Sequence, residues 1–229
     1  MAVLSKTLSK IQGLKHGFGT FEEKGITSLQ EFWPALPRWN QVHGVSWADL
    51  VRPNQDCGEV DALISETPGI PVTVRTGDCV PILLAHKDAK CIAAIHAGWK
   101  GTRDRIVPRV WSELERRGHQ AKDWVGVVGP AIGPCCYQVS EELAESFKTQ
   151  FRHFDSNLII PRPRQLDLPY IHLEGLKELG LGEVECLRYC TFCSTEPRFH
   201  SARRTQKFGK PASSGEYLDR QYSGLVILN

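Results

Sequence analysis

The stretch that decides the fold reads P-I-L-L-A-H at 81–86, K-D-A-K at 87–90 and C-I-A-A-I-H at 91–96. Each apolar run is six residues long, the length of a strand, and the four residues between them, three of them charged, suit a hairpin loop. With that loop, His86 pairs with Cys91 and, further out, Pro81 pairs with His96. Upstream, Pro71 to Thr76 is β-rich, and Trp39 to Leu50 breaks into short strand-like pieces at Gly and Asn. Downstream, a Gly-containing turn at 97–101 precedes a possible N-cap at Thr102 and an amphipathic segment to Arg117. Ile106, Val107, Val110, Trp111 and Leu114 share one helical face there, and Pro108 is expected to kink or delay the helix. Trp124 to Val128 reads as a strand running into a Gly/Pro loop at 129–134, and a helix is expected after Ser140. A second helix is expected over Pro169 to Leu179, strands at Val184 to Arg188 and Tyr222 to Leu228, and a long polar surface loop from Glu196 to Gln221. The mixture is αβ, with at least one antiparallel pair.

Composition narrows the class. Of 229 residues 41% are apolar and 24% charged, the ordinary balance of a soluble domain or of two tightly packed halves. Lys plus Arg number 28 against 26 Asp plus Glu, a net charge of +2, so no polyanion-binding signature is present and nucleic acid is not required. No apolar run reaches the roughly 18 residues of a membrane span, and Met1 to Lys10 lacks a secretory h-region; the expected location is the cytoplasm. There the 8 cysteines are expected to be thiols, some of them metal ligands or nucleophiles, rather than a disulfide framework.

Three segments set metal-competent side chains beside Gly or Pro: N-Q-V-H-G at 40–44, G-D-C-V-P at 77–81 and I-H-A-G-W at 95–99. In the hairpin register Cys79 lies two residues beyond Pro81, on the same sheet face as His96 and diagonal to it. Such neighbours have β-carbons about 7 Å apart, a gap that a metal with bonds of about 2.0 Å to nitrogen and about 2.3 Å to sulfur can bridge. Adding His43 makes a His₂Cys set with a fourth position open, as in catalytic zinc sites. The competing reading is a buried Cys79 and two hydrogen-bonded histidines at strand ends.

These segments, together with H-A-G-W-K-G at 96–101 and G-P-A-I-G-P-C-C-Y-Q-V at 129–139, resemble the ordered signatures of the laccase-domain (multicopper polyphenol oxidase, YfiH-like) family. The family includes purine nucleoside phosphorylases and peptidoglycan editing factors. L-D-L at 166–168, Cys190-Thr191 and Phe199 to Arg204 extend the likeness over nearly the whole chain. The chain departs from the family at His200, Ala202, His172 and Lys100. The resemblance implies an α+β fold with mixed β-sheets inside and helices packed outside, one domain over residues 1–229. It also implies metal ligands at His43, Cys79 and His96, and phosphorolysis of adenosine, inosine and methylthioadenosine together with adenosine deamination.

Chemistry sorts the metals. None of the 8 histidines forms the His-X-His pairs from which a trinuclear copper cluster is built, and the single Met is residue 1, so no axial Met of blue copper is available. Zn²⁺ is therefore preferred, with Cu²⁺ able to bind the same donors. A phosphate co-substrate needs cations, and Arg75, Lys100, Arg203 and Arg204 are candidates. The last two fall in a stretch from Arg198 to Lys210 with five basic residues and no acid, which by itself reads sooner as a solvated loop; only its match to the family motif favours the site. Asp78 is a candidate general base, or an acceptor orienting a ligating histidine, or a turn residue. Two alternatives remain open: a cysteine hydrolase editing peptidoglycan precursors, with Cys79 as nucleophile, and a copper-dependent polyphenol oxidase. A zinc-stabilised binding protein is a non-enzymatic third. The Cys190-x-x-Cys193 pair, with Cys186 nearby, is read as structural or of unknown role. Cys135 and Cys136 are expected to line the active-site region but, being adjacent on an extended segment, to point apart.

Overall fold

The structure, a computed structural model, describes residues 1–23, 25–209 and 220–229. Its strands are β1 (Leu14–Phe18), β2 (Arg38–Asn40), β3 (Trp47–Leu50), β4 (Asp56–Glu59), β5 (Ala62–Ser65), β6 (Val72–Thr76), β7 (Val80–His86), β8 (Ile92–Ala97), β9 (Trp124–Val128), β10 (Glu183–Cys186) and β11 (Gln221–Ile227). The β7–β8 hairpin is the centre of a mixed six-stranded sheet ordered β10-β9-β7-β8-β5-β3, in which the outer pairs β10/β9 and β3/β5 are parallel and the rest antiparallel. Its register sets Pro81 opposite His96, and the His86 N–H donates to the Cys91 carbonyl, as the loop length requires. A second, antiparallel sheet is ordered β1-β11-β6, and β2 pairs with β4 in a short parallel ribbon.

Every residue of β7 and β8 is buried. Side chains alternate faces along a strand, so apolar residues at all positions imply cover on both sides. Ile82, Leu84, Ala93 and Ile95 face a core shared with the helices, whereas Leu83, Ala85, Ile92 and Ala94 face one shared with Leu225, Val72 and Val74 of the smaller sheet. The layers are thus sheet, sheet and helices, the α+β arrangement with sheets inside and helices outside.

The helices are α1 (Trp99–Arg103), α2 (Ile106–Arg116), α3 (Glu141–Gln150), α4 (Ser156–Ile159), α5 (Leu168–Glu178) and α6 (Ala202–Phe208). The segment expected to start at Thr102 is two helices. Arg105 takes a left-handed conformation, φ 67°, and restarts the chain as α2, which places Pro108 in the first turn, where its missing N–H costs nothing. Thr102 is not a cap: its hydroxyl donates to the Gly98 carbonyl at 2.9 Å. Ser140 does cap α3, accepting from the Leu143 N–H at 3.2 Å. Part of the expected 196–221 loop is α6, capped by the Ser201 hydroxyl; residues 210–219 of that loop lie outside those described.

Candidate active site

Asp61 organises the site. It directly precedes β5, is fully buried, and accepts the backbone N–H groups of Val42 (3.3 Å), His43 (3.0 Å) and Gly44 (2.6 Å). Three successive amides converge on one carboxylate only if the backbone reverses hand between them, and His43 supplies the reversal at φ 61°. Gln41 anchors the same loop, its side chain exchanging two hydrogen bonds with the backbone of Arg75 on β6, at 2.8 and 2.9 Å. The fourth donor to Asp61 is the His96 Nδ1–H, at 2.7 Å. This fixes the His96 tautomer and leaves Nε2 for the site.

Cys79 enters from the turn before β7, and its Sγ and one ring nitrogen of each of His43 and His96 all lie within 4.8 Å of one another. Gly98, between β8 and α1, permits this approach. A β-carbon there would sit 3.0 Å from the His43 ring and 3.1 Å from the Cys79 sulfur. Burial opposes ionisation of Cys79, but hydrogen bonds and charge from His43 and His96 outweigh it and bring the thiol from 9.0 down to about 6. Burial likewise opposes protonation of His96, yet Asp61 and the Cys79 thiolate raise it to about 9. Asp61 itself is held below the usual carboxylate range against its own burial, chiefly by His96 and the Gly44 N–H. Two imidazoles and a thiolate at this spacing fit a tetrahedral metal, whose N and S ligands stand about 3.3–3.8 Å apart at ordinary bond lengths.

The trio opens onto a cleft bordered by Arg75, Asp78, Tyr137, Arg203, Gln206 and Arg220. Arg75 stacks over Trp39 with its guanidinium carbon 5.1 Å from the ring, donates from Nη2 to the Trp39 carbonyl at 3.2 Å, and keeps a buried Nε with no partner among the described residues. Both carboxylate oxygens of Asp78 are engaged, one by the Thr191 hydroxyl at 2.6 Å and the other by the Arg203 N–H at 2.7 Å. Asp78 therefore ties the Cys79 turn to two other segments, and the carboxylate that orients His96 is Asp61. Lys100 lies outside the cleft lining and is exposed, its ammonium 5.7 Å from the Trp99 ring. Arg204 also lies outside, its guanidinium donating to the carbonyls of Thr191, Phe192 and Phe199.

Asp61 beneath the trio and Tyr137, Gln206 and Arg220 along the cleft escaped the sequence reading. Asp61 had a usable signal: a carboxylate opening the apolar run V-D-A-L-I must find donors if that run is a buried strand. Tyr137 sat inside the 129–139 motif, and burial together with the neighbouring Cys79 charge pushes its hydroxyl up to about 12. Arg220 carried no signal, since only the return of β11 beside β6 brings it here.

A family profile described as multi-copper polyphenol oxidoreductase laccase matches residues 28–214. The chain belongs to this family. Similar proteins named purine nucleoside phosphorylase occur in Clostridium acetobutylicum, 35% identical over 65% of this chain and 63% of that one, and in Rickettsia conorii, 32% identical over 75% and 72%. A protein named adenosine deaminase RL5, from an unknown prokaryotic organism, is 35% identical over 63% of this chain and 57% of its own length. The chain thus spans less than two thirds of the Clostridium and RL5 relatives. The laccase-family fold is also seen in YlmD from Geobacillus stearothermophilus, with TM-score 0.74 and 22% identity over 96% of this chain and 94% of that one, and in protein NMB0706 from Neisseria meningitidis, with TM-score 0.74 and 20% identity over 95% and 96%. No helix among the described residues is long and apolar enough to cross a membrane.

Proposed function

We propose that this protein is a zinc-dependent purine nucleoside phosphorylase acting on adenosine, inosine and methylthioadenosine, with a separate adenosine deaminase activity in which water attacks the purine C6 and ammonia leaves. The observation that carries the reading is the joining of the His43, Cys79 and His96 trio to a cleft with three arginines, Arg75, Arg203 and Arg220. The names borne by relatives at 32–35% identity support it.

The three side chains would hold Zn²⁺, which supplies Lewis acidity for polarising a substrate oxygen or water. The chain's own residues do the rest. Asp61 keeps His96 in the tautomer that presents Nε2, and by holding the imidazolium beside Cys79 in the metal-free protein it keeps the thiolate ready as a ligand. The arginines bind phosphate through charge-assisted hydrogen bonds. In phosphorolysis a phosphate oxygen bonds to the ribose C1′ as the bond from C1′ to the purine nitrogen breaks, and the purine leaves with the electron pair and takes a proton. Tyr137 stays protonated and offers the cleft a hydrogen-bond donor for that leaving base. Asp78, with both oxygens engaged, acts as a positioning residue that holds the Cys79 turn against Arg203. The cytoplasm, expected from the sequence, suits a free thiolate at Cys79.

The test is incubation of metal-analysed protein with adenosine, with and without phosphate. Adenine plus ribose 1-phosphate, formed only with phosphate, is the expected product, and inosine formed without phosphate reports the deaminase activity. No turnover of any of the three nucleosides by zinc-loaded protein overturns the reading. The lowered Cys79 thiol favours one second reading, a cysteine hydrolase. It requires a thioester on Cys79 that accumulates in metal-free protein and disappears when zinc is added.

A further inference from the structure

The cysteines that the sequence reading set aside converge. Pro134 to Cys136 form a turn, in which the N–H groups of Cys136 and Tyr137 both donate to the Gly133 carbonyl at 3.0 Å, and residues 191–193 form another, closed by the Ser194 N–H on the Cys190 carbonyl at 2.9 Å. On an extended strand adjacent side chains oppose each other, but in a helical turn they are about 100° apart, so Cys135 and Cys136 both reach the second turn. The expectation that these neighbours point apart fails for this reason. The two turns are brought together by the parallel bridge between Ala131 and Cys190.

We propose that Cys135, Cys136, Cys190 and Cys193 bind a structural Zn²⁺ ion as a tetrathiolate site separate from the His43, Cys79 and His96 trio. The four sulfurs lie within 4.8 Å of one another, and Cys135 Sγ and Cys193 Sγ are 3.7 Å apart. A tetrahedron with zinc–sulfur bonds of about 2.3 Å has edges of about 3.8 Å, whereas a disulfide would need about 2.05 Å. A spacing this tight suits a single ion; a polynuclear cluster holds its cysteines further apart. Four soft donors with no oxygen or nitrogen among them select zinc over magnesium or calcium.

Two further features suit thiolates. The Gly133 N–H donates to Cys190 Sγ at 3.3 Å, and the amides of Phe192 and Cys193 point at the same sulfur. Arg204 lies alongside, bonded to the Thr191 and Phe192 carbonyls of the knuckle, and offsets part of the net negative charge of four thiolates on one dication. Burial opposes ionisation of Cys190 but its amide donors bring it down, while burial and the neighbouring thiols push Cys135 up to about 12. Binding forms four zinc–sulfur bonds and releases the remaining thiol protons to solvent, with no change of oxidation state.

The ion would brace the cleft wall. Thr191, between the two knuckle cysteines, donates to Asp78, and Tyr137 follows Cys136 directly. The metal site itself stands whether or not the phosphorylase reading holds.

The experiment is metal analysis of full-length protein purified without chelator, beside Cys79→Ser and Cys135→Ser/Cys193→Ser variants. The knuckle variant is expected to lose about one zinc equivalent relative to the parent, and Cys79→Ser to retain that equivalent. Metal-stripped Cys79→Ser given Co²⁺ is expected to show thiolate-to-cobalt charge-transfer bands and the visible bands of tetrahedral cobalt. Because the knuckle variant could fail to fold, the parent is also footprinted with iodoacetamide, and the four cysteines should resist alkylation until a chelator is added. Unchanged zinc content in a folded knuckle variant, or ready alkylation of all four thiols in zinc-replete parent, overturns the proposal. So does a Cys135–Cys193 disulfide in freshly purified protein, which would make the pair a redox couple.

Discussion

Replacing Asp61 with Asn keeps shape and removes charge, and its effect can be worked from four hydrogen bonds. One carboxylate oxygen receives His43 N–H at 3.0 Å and His96 Nδ1–H at 2.7 Å; the other receives Gly44 N–H at 2.6 Å and Val42 N–H at 3.3 Å. All four are donors, so whichever way the carboxamide turns, its NH₂ meets two of them. Facing the backbone pair, it leaves buried donors unpaired at about 1–3 kcal/mol. Facing His96 and the His43 N–H, it leaves that amide unpaired, and a tautomer switch that moves the His96 ring proton to Nε2 relieves the other clash but blocks ligation. Either route should weaken zinc about 10–100-fold, or about 1.4–2.7 kcal/mol. Loss of the carboxylate also lowers the His96 pKa, so the imidazolium beside Cys79 disappears at neutral pH. The Cys79 midpoint should then move up from about 6 toward its ordinary 9.0. Competition against a chromophoric chelator reads the first effect, and thiolate absorbance of metal-free protein against pH reads the second. A folded Asp61→Asn protein with zinc affinity within about twofold of the parent and an unmoved Cys79 midpoint would refute the role given to Asp61.

Three other perturbations test neighbouring parts. Gly98→Ala drives a methyl to within 3.1 Å of Cys79 Sγ and should weaken zinc while leaving the denaturation midpoint nearly unchanged, and equal zinc affinity would count against a tight approach. Arg220→Ala should raise KM for phosphate much more than KM for nucleoside, because the residue, just before β11, reaches the cleft as a cation only; steady-state kinetics with each substrate varied decides. His172 is buried and its pKa is pushed down to about 3 by burial, so as pH falls the unfolded chain takes its proton first. Stability should decline between pH 6.5 and about 3 at up to about 1.4 kcal/mol per pH unit. His172→Asn keeps a donor for Thr102, which lies 2.8 Å from the imidazole, and should flatten that decline in urea unfolding; an unchanged slope would refute it.

Much of the fold was legible because hydrophobic runs and turn residues are local. The six-residue runs around Lys87 to Lys90 contain their own register, and with it the diagonal placement of Cys79 and His96. Local reasoning broke down where one backbone angle intervenes. The left-handed Arg105 splits the expected helix, and the turn at Pro134 to Cys136 rotates two cysteines onto one side. Ser201 capping α6 within a polar stretch was a further local signal left unread.

The hairpin, the mixture of strands and helices and the three metal-competent side chains are written locally, because strand alternation and motif spacing act over a few residues; the layering of sheets inside and helices outside came only with the family resemblance. Which groups serve those side chains is set by contacts between distant segments. Asp61 reaches His96 because β5 pairs with β8, Arg220 reaches the cleft because β11 pairs with β6, and Cys135 meets Cys193 from 58 residues away. Those meetings depend on strand pairings between distant segments, and no local pattern encodes a distance in space.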